Sequence, residues 1–202
     1  MSGAVAILVP AAGASRRMRG RDKLMEEVRG RALLADRVAA ALDLGGEVLV
    51  TLPPGGDARA RALAPLTGPR LWLEEVPEAG EGMAASLRRG ADWATARGAG
   101  ALMVLLPDLP DLTVADLRAV LGAFDGVRIL RATAEDGRVG HPVVFPARYL
   151  PEMATLRGDA GARAILAAHE VAHVALPGAR AVTDLDTPED WAAWRAGGMP
   201  KP

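Results

Sequence analysis

Short apolar runs alternate with amphipathic segments through residues 4–124, and this alternation restricts the possible folds more than any other feature of the chain. The apolar runs occupy residues 4–9, 47–52, 70–76 and 101–106, and segments with helical spacing occupy residues 31–44, 57–64, 83–97 and 113–124. Strands and helices that alternate in this way are typical of right-handed βαβ units on a parallel sheet. The sequence therefore predicts a three-layer α/β/α, Rossmann-like fold with a mostly parallel sheet.

After residue 126 the pattern loosens and hairpin-like spacing appears. We expect strands at 127–132, 143–145, 171–176 and 182–185, and helices at 161–168 and 190–196. The chain of 202 residues is long enough for one large domain, 1–202, and no repeat or linker divides it.

Composition excludes several classes of protein. Half of the residues are hydrophobic but only 3% are aromatic, so we expect a core built mainly from Ala, Val and Leu. A net charge of −1 gives no general attraction to nucleic acid or to a membrane surface. The chain has no cysteine, which excludes disulfides and thiolate metal sites. Because no apolar stretch reaches membrane-spanning length and no signal pattern is visible, we expect a cytoplasmic protein.

The lysines are unusually placed. The chain has 24 basic residues, and lysine occurs only at positions 23 and 201. Lys23 closes the loop AAGASRRMRGRDK, which follows the first apolar run and also contains four arginines. An ammonium group is a compact charge that fits between the oxygens of a polyphosphate, whereas a guanidinium is a broad planar fork.

The loop therefore predicts a nucleotide site at the carboxyl end of the first strand. We expect phosphates to be held by Arg17 and Lys23 together with the glycine-loop backbone, that is by Ala11, Ala12, Gly13 and Ser15. The alternative is an ordinary βα turn with solvated arginines. Two specific phosphate motifs are excluded, because Leu24 follows Lys23 and because Gly13 and Gly20 lie too far apart.

Acidic residues follow the most apolar strand. Asp108, between Pro107 and Pro110, is placed to hold a Mg²⁺ ion that bridges phosphate oxygens. The alternative is a turn aspartate between prolines. Asp111 is a rival, although its position before Thr113 suits a turn that precedes a helix.

Three other segments carry polar candidates. Gly82 and Ser86 can contact a base or ribose, or cap the helix that follows. His141 can contact an acceptor molecule, or it can be a loop residue that fixes its own backbone. Arg163 can meet an acceptor phosphate, or it can be an exposed arginine at a helix start. His169 and His173 have a metal-ligand spacing, but a surface location is favoured.

The loop residues A-A-G-x-S-x-R-M and D-K-L together resemble the opening loop of the MobA/MocA-like molybdenum-cofactor nucleotidyltransferases. Five further motifs follow in the order of that family: GMAASLRRG (82–90), LLPDLPDLT (105–113), GHPVVFP (140–146), GDAGAR (158–163) and DLDTPED (184–190). The A-A-G opening and the 82–90 motif resemble the cytidylyl branch of the family more than the guanylyl branch.

The resemblance implies a nucleotidyltransferase fold with a nucleotide half (about 1–125) and an acceptor half (about 126–202). It implies transfer of CMP from CTP to the terminal phosphate of molybdopterin with Mg²⁺, and a molybdoenzyme or its chaperone as a possible partner. Asp184 and Asp186 alternate in a short strand-like run, so only one of them can face the site, and the resemblance makes Asp186 the second metal contact. Capping by Thr187, Pro188 and Asp190 accounts for the residues that follow but leaves Asp186 without a structural task. The resemblance favours base recognition by Gly82 and Ser86 and places His141, Asp159 and Arg163 near the acceptor.

Other functions fit the same scaffold. One is a nucleotidyltransferase that uses GTP or acts on a sugar or polyol phosphate. Another is a non-catalytic chaperone that binds the cofactor, or a redox accessory protein. The acidic residues and Lys23 disfavour the chaperone and the redox accessory protein, because neither of these proteins needs to retain a metal–phosphate centre.

Overall fold

The structure, a computed structural model, describes residues 4–197, and Lys201 lies outside this range. The strands are β1 (Val5–Pro10), β2 (Glu27–Val28), β3 (Arg31–Ala32), β4 (Val48–Leu52), β5 (Leu71–Glu75), β6 (Ala101–Val104), β7 (Ile129–Thr133), β8 (Val139–Pro146) and β9 (Val171–Ala175). The helices are α1 (Leu33–Leu42), α2 (Asp57–Leu63), α3 (Met83–Ala96), α4 (Val114–Ala123), α5 (Leu150–Met153), α6 (Arg163–Ala168) and α7 (Pro188–Arg195).

Seven strands form a central sheet in the order β5-β4-β1-β6-β8-β7-β9. Strand β8 is antiparallel to both of its neighbours, while the pairs β5–β4, β4–β1, β1–β6 and β7–β9 are parallel. The predicted α/β fold with a mostly parallel sheet is confirmed. After β1 the chain adds β4 on one side of β1, and it later returns to add β6 on the other side. The carboxyl ends of β1 and β6 are therefore a topological switch point, where open α/β sheets bind ligands.

Helices cover both faces of the sheet. Along β1, Ile7 and Val9 pack into a core with α1, α4 and α7, whereas Ala6 and Leu8 face a second core with α3, α5 and α6. Helix α3 lies close to β1, and this is clearest at Gly90, where an added Cβ would be 2.5 Å from Leu8 Cδ2. The alternation of apolar side chains in β1 therefore creates the three layers.

Two helix starts follow their predicted caps. Thr113 and Asp116 form a capping box at the start of α4, and Thr187 and Asp190 form another at the start of α7. Pro188 is the first residue of α7, where its missing N–H is not needed. These caps fix the ends of the two segments that carry Asp108 and Asp186.

Four local predictions differ from the structure. A small hairpin of β2 and β3 was not expected, because strands of two residues leave no alternation to detect. Its turn residues Arg29 (φ 52°) and Gly30 (φ 77°) both have left-handed conformations, as a type I′ turn requires. Helix α1 consequently begins at Leu33, after β3. Helix α5 was also missed, and β8 is longer than residues 143–145.

The strand predicted at 182–185 is wrong. Val182 and Thr183 donate backbone hydrogen bonds to Ala179, and this compact turn replaces sheet pairing. The turn lies directly against β8, since a Cβ at Gly140 would be 2.1 Å from the Ala181 carbonyl oxygen. No helix within residues 4–197 combines the length and the apolar character needed to cross a bilayer.

Candidate active site

A cleft of about 540 Å³ opens at the carboxyl ends of β1 and β6. Its volume lies in the range typical of sites for small organic ligands. The loop after β1 forms one wall, the start of α3 forms another, and Asp108 and Asp186 lie at its base. The cleft is therefore at the switch point that the sheet topology defines.

The loop after β1 presents unused backbone donors to this cleft. Ala11 still donates to the Thr51 carbonyl oxygen at 2.9 Å, as a continuation of the sheet. Within residues 4–197, the N–H groups of residues 12–15 have no hydrogen-bond acceptor, and Ser15 has a left-handed φ of 48°. Several consecutive free N–H groups on a curved loop form an anion-binding concavity.

The predicted loop residues divide into two groups. Ala12, Gly13, Ser15, Arg17 and Lys23 line the cleft, whereas Ala11 is fully buried behind it. A Cβ added to Gly13 would meet no protein atom within 4 Å, so only a bound ligand could require glycine there.

Arg59 of α2 holds this loop from behind and was missed by sequence reasoning. It donates to the Ala11 carbonyl oxygen (2.5 Å) and to both carboxylate oxygens of Asp22 (2.7 and 2.9 Å). Asp22 also accepts from Ser15 Oγ and caps the short turn that contains Lys23. Burial raises the pKa of Asp22, but the hydrogen bonds and charge of Arg59 outweigh it and leave that pKa below its usual value. Arg59 thus ties the first and last residues of the loop together.

Lys23 lies between two carboxylates from distant parts of the chain. Its Nζ atom is 2.7 Å from Asp108 Oδ2 and 2.6 Å from Asp186 Oδ1. Burial lowers the pKa of Lys23, but the two carboxylates outweigh it, so the pKa lies above the usual lysine value. The ammonium therefore stays charged at neutral pH.

Arg17 adds a second cation to this group. Its guanidinium is 2.5 Å from Asp186 Oδ2, although its side chain is 71% exposed. Asp184 does not line the cleft and is exposed. Although the residue as a whole is exposed, its carboxyl group is partly shielded from water, and this desolvation, followed by the negative charges of Asp108 and Asp186, raises the pKa of Asp184. Of the two alternating aspartates, the one that meets Lys23 is Asp186.

The loop of Asp108 is held by two arginines that sequence reasoning also missed. Arg37, only 2% exposed, donates to the carbonyl oxygens of Leu109 and Leu112, and Arg29 donates to that of Pro110. The turn residue Asp111 accepts from Trp194 Nε1 at 2.9 Å. Asp111 thus has a structural partner away from Lys23.

The carboxylates of Asp108 and Asp186 suit a divalent metal. Asp108 Oδ1 is buried and has no hydrogen-bond partner in the described part of the chain. A buried oxygen without a partner is costly, and hard carboxylate oxygens are the ligands that Mg²⁺ and Mn²⁺ prefer. Two protein carboxylates are enough for Mg²⁺ when phosphates and water supply its other ligands.

The start of α3 brings Gly82 and Ser86 to the cleft, and the loop before α6 brings Asp159. Ser86 is buried and its hydroxyl is 3.0 Å from Thr51 Oγ1 at the end of β4. Asp159 packs on Gly82, where an added Cβ would be 1.8 Å from Asp159 Oδ1, and Gly82 has a φ of 97°. Glycine at position 82 is therefore required by both space and backbone conformation.

Two predicted acceptor residues lie outside the lining of the cleft. Arg163 is exposed at the first position of α6. His141 is on β8, and burial lowers its pKa to about 4, with the positive charge of Arg131 acting in the same direction and Asp108 opposing. The imidazole is neutral at pH 7.

The residues that were missed share one property. Arg37, Arg59 and Thr51 act through backbone or side-chain groups that are far away in sequence, and each lies in a helix or strand that reads as ordinary core. The one signal in the sequence was an arginine at a helix position that is otherwise apolar, and such an arginine does not show which distant group it binds.

Comparison with known proteins places this geometry in context. The family model for the MobA-like NTP transferase domain matches residues 7–174. The purine catabolism protein PucB of Bacillus subtilis (strain 168) is 28% identical over 189 residues, which cover 90% of this chain and 91% of PucB.

Solved structures agree with this match. Rv0371c from Mycobacterium tuberculosis H37Rv is 29% identical, with a TM-score of 0.77 over 97% of both chains. A manganese complex of Rv0371c is 28% identical, with a TM-score of 0.73 over 94% of this chain and 96% of the other. A CMP:2-keto-3-deoxy-manno-octonic acid synthetase with bound CTP has a TM-score of 0.71 over 96% and 97%, and at 14% identity it shows the fold alone.

Proposed function

Because this chain belongs to the family of MobA-like NTP transferase domains, we propose that it transfers CMP from CTP to the terminal phosphate of a molybdopterin cofactor and releases pyrophosphate. The observation that carries the proposal is the meeting of Lys23, Asp108 and Asp186 beside the free amides of the loop after β1. One cleft therefore contains both hydrogen-bond donors that can bind phosphate and carboxylates that can bind a metal ion.

The nucleotide and acceptor in this proposal have different support. CTP is supported by the A-A-G opening of the loop and by the 82–90 motif, which resemble the cytidylyl branch of the family. The molybdopterin acceptor is supported by the order of the six sequence motifs. We place nucleotide binding in residues 1–125 and acceptor binding in residues 126–202 of a single cytoplasmic domain. A molybdoenzyme, or its chaperone, would receive the product.

In the proposed reaction an oxygen of the acceptor phosphate attacks the α-phosphorus of CTP. A new O–P bond forms while the bond from the α-phosphorus to the bridging oxygen breaks, and the electron pair leaves with pyrophosphate. The attacking phosphate is already anionic at neutral pH, so no general base is needed. Positioning and charge stabilisation then provide most of the rate acceleration.

Several cleft residues have distinct roles in the proposed reaction. The loop amides and Arg17 bind the triphosphate, and Lys23 turns from the carboxylates to the phosphate oxygens. Ser86 and the backbone at Gly82 position the nucleoside. A divalent cation held by Asp108 and Asp186, Mg²⁺ in our proposal, would neutralise phosphate charge; the manganese complex of a relative supports a divalent metal.

The test is pyrophosphate release from CTP with Mg²⁺, with and without the molybdopterin acceptor. We expect release only with the acceptor, and faster with CTP than with GTP. Lys23→Ala and Asp108→Ala should each lower turnover by roughly 10²-fold, as removal of one electrostatic stabiliser does. Arg61→Ala, on the exposed face of α2, is the control and should match the wild type.

Three results would contradict the proposal. Near-wild-type turnover in either cleft variant would remove the site assignment. A preference for GTP, or for a sugar phosphate acceptor, would keep the enzyme class and change its substrate. CTP binding without any transfer would favour a cofactor chaperone.

A further inference from the structure

Strand β5 is an open edge of the central sheet, away from the residues that line the cleft. It is the outermost strand on its side and pairs with β4 alone. Among residues 4–197, large apolar side chains are exposed at Trp72, Leu73, Val127 and Val139, and of these only Trp72 (43%) and Leu73 (44%) are neighbours. A sheet edge with exposed apolar side chains and no proline is a template for pairing with another strand.

The backbone of β5 offers hydrogen bonds on this open side. Just before the strand, the Arg70 carbonyl oxygen accepts from Val48 N–H of β4 at 2.8 Å, and just after it, Val76 N–H donates to β4 at 2.8 Å. The even-numbered residues of β5 therefore bond to β4. The N–H and C=O groups of Leu73 and Glu75 point away from the sheet and have no partner within residues 4–197.

Trp72 is held in place before any partner binds. The guanidinium carbon of Arg97 lies 4.1 Å from the centroid of the Trp72 ring and 4.6 Å from that of Trp93. Arg97 is itself fixed by Glu47, whose carboxylate is 3.2 Å from Nε. An ordered aromatic side chain loses little conformational entropy on association, and tryptophan is frequent among the residues that contribute most to interfaces.

The sequence of this edge is complementary to itself. If two copies of β5 pair antiparallel about Trp72, the opposite residues are Trp72 with Trp72, Leu71 with Leu73, and Arg70 with Glu74. Residues 71 and 73 carry the outward-facing backbone groups that this register joins. Arg70, Trp72 and Glu74 share one face, that of α3, because a carboxylate oxygen of Glu74 lies 3.6 Å from a guanidinium of that helix.

Other registers of the same edge are less favourable. A centre at Leu73 would place Trp72 opposite Glu74 and Arg70 opposite Val76. A centre at Glu74 would place two carboxylates directly opposite each other, and like charges in this position destabilise a strand pair. The other edge strand, β9, exposes no large apolar side chain among the described residues. The pairing about Trp72 is therefore the one in which apolar residues and opposite charges all match.

We propose that the protein forms a two-fold symmetric dimer in which β5 pairs antiparallel with β5 of a second copy, with Trp72 at the two-fold axis. Two seven-stranded sheets would then form one continuous sheet. Because the same edge is used by both copies, the contact closes and adds no third copy. The strands run in opposite directions across the axis, so the two clefts open at opposite edges of the joined sheet. The dimer goes beyond the proposed function and requires neither its nucleotide nor its acceptor.

Sedimentation of the whole protein, over about 1 μM to 1 mM, tests association without any substrate. We expect a reversible monomer–dimer equilibrium. Arg70→Glu and Glu74→Arg each create like-charge pairs at two symmetric positions and should weaken dimerisation at least about tenfold. The double variant, Arg70→Glu with Glu74→Arg, should recover most of the affinity. Glu75→Arg, on the opposite face, is the matched control and should dimerise like the wild type.

Two further variants test the backbone pairing and the register. Leu73→Pro removes an outward N–H that β4 does not use, so the fold should persist while the dimer is lost. The chain has no cysteine, so a single introduced thiol reports on its own symmetry mate. Opposite residues of a non-hydrogen-bonded pair have Cα atoms about 4.5 Å apart, which suits a disulfide. Trp72→Cys should therefore cross-link in a glutathione redox buffer, whereas Glu74→Cys should not.

Several results would overturn the dimer. One is a wild type that stays monomeric at the highest concentration, and another is a pair of charge variants that dimerise normally. A double variant as weak as the single ones, or cross-linking through position 74 instead of 72, would contradict the register. A melting temperature shows whether each variant is folded, and the charge variants decide the matter if Leu73→Pro does not fold. Absence of CMP transfer would contradict the proposed function and leave this inference unaffected.

Discussion

At the scale of single residues, the charges of the cleft balance in the absence of ligand. The lining contains three positive side chains (Arg16, Arg17 and Lys23) and three negative ones (Asp108, Asp159 and Asp186). A metal–nucleotide complex therefore gains little from the net charge of the site. We expect it to bind by exchange of partners, in which the cations turn to phosphate and the carboxylates turn to the metal. Such an exchange makes metal and nucleotide binding mutually dependent.

His141 should make stability depend on pH. Its pKa is about 4 in the folded protein and about 6.5 when unfolded. Between these values the unfolded chain binds a proton that the folded protein does not, so stability falls as pH decreases from about 6.5 toward 4. When both states have completed their titration, the loss of stability from this pKa difference is at most about 3.5 kcal/mol. Above pH 6.5 this contribution is complete.

The measurement is the free energy of unfolding in urea at pH 7, 6 and 5, in the presence of a chelator. His141→Asn should lose much of the slope between pH 6.5 and 5, whereas the exposed His173→Asn should keep it. Equal slopes for His141→Asn and the wild type would show that burial of this imidazole does not control its ionisation.

At the scale of structural elements, α2 controls the loop after β1 through Arg59. Arg59→Met removes the contacts to Ala11 and Asp22, so the loop amides lose their fixed position relative to Lys23. We expect CTP affinity to fall about tenfold and stability to fall by about 1–3 kcal/mol, from lost hydrogen bonds between buried or charged groups.

Arg59→Lys should recover only part of the affinity, because an ammonium cannot bind Ala11 and both oxygens of Asp22 in the same planar geometry. Arg61→Met, on the same helix, is the control. Calorimetric titration with CTP and urea unfolding measure the two effects. Wild-type affinity in Arg59→Met would mean that the loop holds its shape without α2.

The turn that carries Asp186 depends on Gly140. Gly140→Ala would place a methyl group 2.1 Å from the Ala181 carbonyl oxygen, which is backbone and cannot rotate away. We expect a loss of about 1–3 kcal/mol of stability and weaker binding of Mn²⁺ with CTP, because residues 179–186 must shift. Gly122→Ala in α4 meets no atom within 4 Å and should be neutral or stabilising. Unfolding and metal titration of both variants check this, and equal behaviour would contradict it.

Most strands of the sheet, and the order in which helices follow them along the chain, were predictable, because apolar runs such as 4–9 and 101–106 are long and uninterrupted. The hairpin of β2 and β3 was not predictable, since its pairing depends on the turn residues rather than on an alternation of apolar and polar residues. Residues 182–185 were predicted as a strand because Val182 and Leu185 are apolar, but these two side chains pack into the core from a compact turn. Lys23 was identifiable because lysine is rare in this chain, and Asp108 because it follows the most apolar strand, whereas Arg59 acts through contacts with residues that are distant in sequence.

At the scale of the whole molecule, ligand binding should raise thermal stability in a way that distinguishes nucleotides. CTP with Mg²⁺ at about 100 times its Kd should stabilise the protein by about 2.7 kcal/mol. For a protein of this size that is a rise of roughly 5–10 °C in Tm. GTP, ATP and UTP should give smaller shifts at equal concentration. Omission of Mg²⁺ should reduce the shift with CTP, and equal shifts for all four nucleotides would contradict a cytidine-specific cleft.

The hydrogen bond from Lys23 to Asp186 joins residues 163 positions apart. On a ribosome the lysine and Asp108 emerge well before Asp186, by roughly several seconds at about 5–20 residues per second. During that interval the nascent chain has a lysine with one carboxylate and lacks the second. With the role proposed for Asp186, competence for nucleotidyl transfer is thus acquired only after residue 186 has emerged, and a prematurely released product that stops before this residue would be catalytically silent.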